Sequence, residues 1–117
     1  MSREIGAIVE AEATALLKRN KLKIIATNFN TKFGELDIVA IEKATNTLVV
    51  TEVKYRATAN YGSANEMLSY AKQKKIVKTV QLFLSKNPQL NEMNIRFDLI
   101  AKTGDNVEWI KNVIEHC

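Results

Sequence analysis

The chain has 117 residues, 46% of them hydrophobic and 26% charged. That size and balance fit one globular domain with a real core and exclude a disordered polymer. A net charge of +4 and a sequence pI of about 9.2 mildly favour a polyanionic partner such as nucleic acid.

Cys117 is the sole cysteine, which excludes disulfides and cysteine-rich zinc sites. No apolar run approaches the roughly 18–20 residues that a membrane span needs. The N-terminal stretch carries acids early and lacks the uninterrupted apolar segment of a signal peptide. With no linker and no internal repeat, the expectation is a single cytoplasmic domain, residues 1–117, with no membrane association.

In chain order, residues 3–20 predict a helix, with Ile5, Val9 and Leu16 on one face and Ile8 and Ala13 beside them. Residues 21–29 predict a β-former-rich strand, and 30–34 a turn. A second strand is expected over 35–42 and a third over 47–55, joined by a hairpin turn at "KATN". Residues 63–87 predict a long helix with Ser63 or Asn65 as N-cap, ended by Pro88. A fourth strand over 94–102, a tight turn at Gly104-Asp105 and a fifth strand over 106–113 complete the chain. The order α-β-β-β-α-β-β predicts an α/β fold with a central mixed five-stranded sheet flanked by helices.

Charges interrupt the two central strands. Side chains alternate between faces, so Glu35 and Asp37 share a face with Val39 and Ile41. Likewise Glu52, Lys54 and Arg56 share one with Leu48 and Val50. An antiparallel hairpin would bring both charged ends together at one edge of the core. Buried charges are costly unless paired or metal-bound. One explanation is a salt bridge of Lys54 with Asp37 or Glu52. The other is a hard divalent cation such as Mg²⁺, held by acids, waters and phosphate oxygens, with the lysine positioning a water for phosphodiester hydrolysis.

An acid on one strand followed by Glu-x-Lys on the next, here Asp37 and then Glu52-Val53-Lys54, resembles the core of the PD-(D/E)xK nucleases. Much more of the chain resembles one branch, the YraN-like family of predicted endonucleases. "GELDIVA" is similar to its GEIDLIA motif, "LVVTEVKYR" to FVEVKTR, "KQKKI" to its K-x-x-R-L helix and "IRFD" to its RFD motif. "GAIVEAEATALL" resembles its G-x-x-G-E-x-x-A-x-x-Y-L helix. The chain departs at Val9, where the family has a second glycine, at Leu16 for tyrosine, and at Lys21-Leu22 for Gly-Tyr. These positions bear on packing and loop geometry.

The resemblance implies a restriction-endonuclease-like fold. It also implies that Asp37 and Glu52 would ligate Mg²⁺ or Mn²⁺ with the main-chain carbonyl of Val53, and that Lys54 would handle the water. It matches Glu10 to an acid that holds the metal or its water; helical periodicity alone does not choose between Glu10 and Glu12. Glu35 would support the site from beside Asp37. Lys72 would touch phosphate, and Lys74, Lys75 and Lys78 would add backbone contacts to DNA; the bland alternative for these lysines is a solvated helix face. Arg96 and Asp98 are expected to pair with neighbours on the fourth strand, and Trp109 to pack at the sheet edge.

Four scattered glycines form no phosphate-cradling loop, and His116, the sole histidine, sits at the chain end. The expectation is therefore a metal-dependent endonuclease hydrolysing DNA without a covalent intermediate. Structure-selective action on branched or junction DNA fits so small a domain, with a homodimer needed to cut two strands. The alternatives are a non-catalytic nucleic-acid-binding module partnering recombination or repair proteins, and a structural protein whose sheet end is a salt-bridge cluster.

Overall fold

The computed structural model describes residues 3–58 and 68–114. Five strands form one sheet in chain order: β1 (Leu22–Thr31), β2 (Gly34–Glu42), β3 (Thr47–Arg56), β4 (Asn94–Thr103) and β5 (Asn106–Ile110). All neighbours are antiparallel except β3 and β4, which are parallel. That parallel pair requires a crossover, and helix α2 (Tyr70–Lys86) lies within it. Helix α1 (Arg3–Arg19) precedes β1. The mixed α/β sheet and its element order are as the sequence predicts.

The two helices cover opposite faces. Val9, Ala13 and Leu17 of α1, spaced i, i+4, i+8, pack on Ile38, Val49, Val53 and Ile100. Ile76, Val80 and Phe83 of α2 pack on Val39, Leu48, Val50 and Phe97. β3 thus alternates, with Leu48 and Val50 toward α2 and Val49 and Val53 toward α1. Leu16 is only partly buried, and Ile5 and Ile8 are exposed, Ile8 by 60%. The expected face of α1 is therefore rotated. Leu17, absent from that expectation, is fully buried in place of Leu16, because i, i+4, i+8 from Val9 selects it.

Other boundaries move as well. α2 begins at Tyr70, capped by Ser69, whose Oγ accepts the Lys72 N–H at 3.2 Å. The expected caps Ser63 and Asn65 lie outside the described residues. β5 stops at Ile110 rather than Val113: Asn112 adopts φ 60°, and its N–H donates to Asp98 at 3.0 Å. The "KATN" turn is a 3-10 turn at Lys43–Thr45 that ends with Asn46 in the left-handed region. β1 runs on to Thr31, leaving Lys32 and Phe33 as the turn into β2.

Candidate active site

The β2–β3 ladder pairs Glu42 with Thr47 and proceeds to Ile38 with Thr51, where it ends. One step further would set Asp37 opposite Glu52. Instead of a main-chain pair, Asp37 Oδ2 accepts the Val53 N–H at 2.9 Å. The side chain of one strand thus satisfies the backbone of the next where the strands part.

The gap opens into a pocket of about 820 Å³. Asp37, Glu52, Val53 and Lys54 line it from the sheet, Glu10 from α1 and Lys72 from α2. Glu35, Asn28 and Asn30 complete its rim. Each acid proposed from sequence therefore reaches one cavity, as does Lys72. Lys74, Lys75 and Lys78 do not; they line a separate groove further along α2.

Glu52 is the most perturbed group. It is 4% exposed, and Oε1 is buried with no hydrogen-bond partner. Burial first, and then the charge of Asp37, push its carboxyl up to about 8; Lys72 and Lys54 oppose that shift. The ion pair in the pocket is Lys72 Nζ to Glu52 Oε2, at 3.8 Å. Among the described residues Lys54 makes no such pair, so the salt bridge considered for it from sequence is made by Lys72 instead. Lys54 is pulled below its ordinary value by burial and then by the neighbouring Lys72 ammonium, against the attraction of Glu52 and Asp37.

α1 separates the two acids that periodicity left unresolved. Glu10 turns into the pocket, where Asn28 Nδ2 donates to its Oε1 at 2.7 Å. Glu12 instead accepts from Lys102 Nζ at 2.7 Å, tying α1 to β4. Burial raises the Glu10 carboxyl, with Asp37 and Glu35 adding to the effect and the Asn28 hydrogen bond opposing it. Burial likewise raises Glu35, followed by Asp37.

Sequence reasoning missed Asn28. Its neighbours Thr27 and Phe29 pair with Ile38 and Leu36, so Asn28 stands level with Asp37. It adopts φ 52°, a left-handed conformation that asparagine tolerates better than most residues. The signal available was an asparagine on each side of Phe29 in a strand whose centre is β-former-rich; Asn30 Nδ2 donates to the Asn28 carbonyl at 3.0 Å.

Arg96 and Asp98 pair with each other at 3.0 Å, away from the pocket. Asp98 is buried and also accepts from Trp109 Nε1 and from the Asn112 N–H, each at 3.0 Å. Arg96 reaches Glu42 at 3.2 Å. This cluster ties β5 and the segment after it to the sheet, and Trp109 packs against the α1-side core.

Among the described residues, no group of three or more His, Cys, Asp or Glu side chains is arranged to hold a metal ion. The protein's own offer is the Asp37–Glu52 pair, with one Glu52 oxygen buried and unpartnered. Such a donor set suits a hard cation that keeps several waters and takes substrate oxygens, as Mg²⁺ does. It does not match a structural zinc site, which Cys and His usually close into a tetrahedron.

The family described as "Uncharacterised protein family UPF0102" matches residues 9–101, a span that holds Glu10, Asp37, Glu52, Lys54 and Lys72. A UPF0102 protein of Francisella tularensis subsp. novicida is 44% identical over 110 residues, 93% of this chain and 92% of its own length. One from Vibrio parahaemolyticus is 40% identical over 114 residues, 96% of this chain and 93% of its own. One from Aliivibrio fischeri is 39% identical over 115 residues, covering 96% and 92%.

Proposed function

The chain belongs to the UPF0102 family, and from its own pocket we propose that it is a divalent-metal-dependent nuclease that hydrolyses DNA phosphodiesters. The fold reading that goes with it is restriction-endonuclease-like, of the PD-(D/E)xK kind. The observation that carries the proposal is the Asp37–Glu52 pair, two acids at the parted ends of adjacent strands. They stand close enough that Asp37 raises the buried Glu52 carboxyl, one oxygen of which accepts no hydrogen bond from a donor among the described residues. A purely structural cluster would neutralise that oxygen with a donor.

Asp37, Glu52 and the main-chain carbonyl of Val53 would hold Mg²⁺ or Mn²⁺, and Glu10 would reach the ion's waters from α1. The ion would supply Lewis acidity at the scissile phosphate. The remaining work falls to this chain's own groups. Lys54, whose ammonium is destabilised by burial and by Lys72, can give up its proton more readily than a surface lysine. It would orient the attacking water and take a proton from it. Lys72, whose Nζ lies 3.8 Å from Glu52 Oε2, would meet a phosphate oxygen of the substrate. Glu35 adds negative potential beside Asp37, which draws positive charge to the site, a divalent cation or, without one, a proton. The test is whether the purified protein cuts labelled branched DNA only when Mg²⁺ or Mn²⁺ is added.

A further inference from the structure

Beside the acid pocket, α2 and the β1–β2 turn enclose a second concavity of about 510 Å³. Its walls are Lys32 and Phe33 of the turn and Lys74, Lys75, Val77 and Lys78 of α2. Two ammoniums from different elements converge on one ring: Lys78 Nζ lies 5.0 Å and Lys32 Nζ 5.3 Å from the Phe33 centroid. Lys74 Nζ sits 4.6 Å from the Tyr70 ring. Each such contact contributes about 0.5–1 kcal/mol at an exposed site, enough to hold a lysine over a ring face. Like charges drawn together in this way repel one another. No carboxylate lines this groove among the described residues, and α2 contains no acid from Tyr70 to Lys86. A bound polyanion would supply the complementary charge by displacing solvent counterions.

The groove adjoins the acid pocket through the chain itself. Phe33 lies in the groove and Glu35 in the pocket. Gly34 between them fits closely against α2: a Cβ there would stand 3.5 Å from Thr79 Oγ1 and 3.8 Å from Lys75 Cβ. On α2, Lys72 in the pocket precedes Lys75 in the groove by three residues, about 4.5 Å of helix rise. The two concavities are thus neighbours along α2 and the β1–β2 turn. A space of this volume is of small-ligand size and admits a single strand, whereas the major groove of a duplex alone is about 12 Å wide.

We propose that this groove binds a single-stranded nucleic-acid arm continuous with the strand that lies at the acid pocket. Lys32, Lys75 and Lys78 contact its phosphates, and Phe33 and Val77 pack against a sugar or base. A basic groove with an aromatic wall is how sequence-independent single-strand binders work. The inference rests on the nuclease reading for the role of the neighbouring pocket. It narrows the substrate class to DNA with an unpaired arm.

The test measures fluorescence-anisotropy binding of a labelled oligo-thymidine strand and of a blunt duplex of equal length, in EDTA, over a series of salt concentrations. The full-length chain is compared with Lys32→Ala/Lys78→Ala, Phe33→Leu and Glu52→Gln, each checked for folding by circular dichroism. The double lysine variant is expected to bind the single strand about tenfold more weakly, with a salt slope smaller by about 1.4, two phosphate contacts' worth. Phe33→Leu keeps an apolar wall but loses the ring face, and is expected to weaken single-strand binding several-fold. Unchanged affinity in the double variant overturns the proposal, and so does an equal loss on the blunt duplex. EDTA binding does not depend on cleavage, so a groove that binds in a protein that never cuts leaves this inference standing and removes the nuclease reading. Cutting that survives intact in the groove variants, with binding unaltered, does the reverse.

Discussion

Asp37 Oδ2 takes the N–H of Val53 at 2.9 Å, so the carboxylate that leads the proposed catalytic set also closes the end of the β2–β3 ladder. These two roles separate by substitution. Asp37→Asn retains an oxygen for the Val53 N–H and removes the charge that repels Glu52. It is expected to melt at or above the wild-type temperature while losing divalent-cation binding. Asp37→Ala leaves the N–H unsatisfied and is expected to lose about 1–3 kcal/mol by urea unfolding. Equal destabilisation by both would mean that the carboxylate is structural.

The raised Glu52 carboxyl makes stability depend on pH. Its folded value is near 8 and its ordinary value 4.5. The folded state therefore favours the neutral form: the stabilisation is fully present below about pH 4.5 and is lost as pH rises through about 8. Relative to Glu52→Gln, the wild-type protein is expected to lose on the order of a few kcal/mol across that interval in EDTA. Glu10 and Glu35 shift in the same direction, but they remain in both proteins and cancel in the difference. Added Mn²⁺ is expected to raise the wild-type melting temperature more at pH 8 than at pH 5, because below pH 8 it must displace a proton. Thermal melts over pH 5–8, with and without the cation, measure both effects.

Most of the site was legible in the strands and much less of it in the helices and turns. Period-two alternation put Glu35 and Asp37 on one face of β2 and Glu52 and Lys54 on one face of β3, and all four line one pocket. Leu36 and Val39 nevertheless both face the α2-side core, so the alternation of β2 breaks beside Asp37. The element order was equally readable because each strand is bounded by glycine, asparagine or proline. On α1 the pattern is diluted: Val9 and Ala13 are in the core as expected, but Ile5 and Ile8 are apolar yet exposed, so hydrophobicity alone drew the stripe too wide and missed Leu17. Asn28 was hard to read because its part depends on a left-handed backbone and a contact 18 residues away, and only the asparagines flanking Phe29 hint at it. The Ser69 cap was overlooked because the apolar and small residues before it prolong the helical pattern.

Lys21 shows how a departure in sequence becomes a backbone feature. It follows the C-terminal turn of α1 with φ 68°, and its N–H bonds to the Lys18 carbonyl at 3.0 Å. A side chain in that conformation costs about 1 kcal/mol, which glycine avoids. Lys21→Gly is expected to raise stability by about 0.5–1 kcal/mol in denaturant titration and to leave cation binding unchanged. A loss of stability would show that Lys21 makes a favourable contact that outweighs its backbone strain.

Asp98 is buried in the same sheet yet has the opposite character to Glu52. Arg96, Trp109 Nε1 and the Asn112 N–H all donate to it. Asp98→Ala strips a partner from each and is expected to destabilise by about 3 kcal/mol or more. At temperatures where this variant is still folded, its cation affinity is expected to match wild type, since Asp98 does not line the pocket. Loss of cation binding by folded Asp98→Ala would move the site away from Asp37 and Glu52.

The most direct measurement is cleavage of labelled linear, flapped and four-way-junction DNA with Mg²⁺ or Mn²⁺, beside Glu52→Gln and Lys54→Ala. The account predicts cutting that needs the cation, disappears in both variants and is strongest on DNA with an unpaired arm. DNA binding that falls steeply with salt, with no cutting in either metal, would contradict it and leave a binding module.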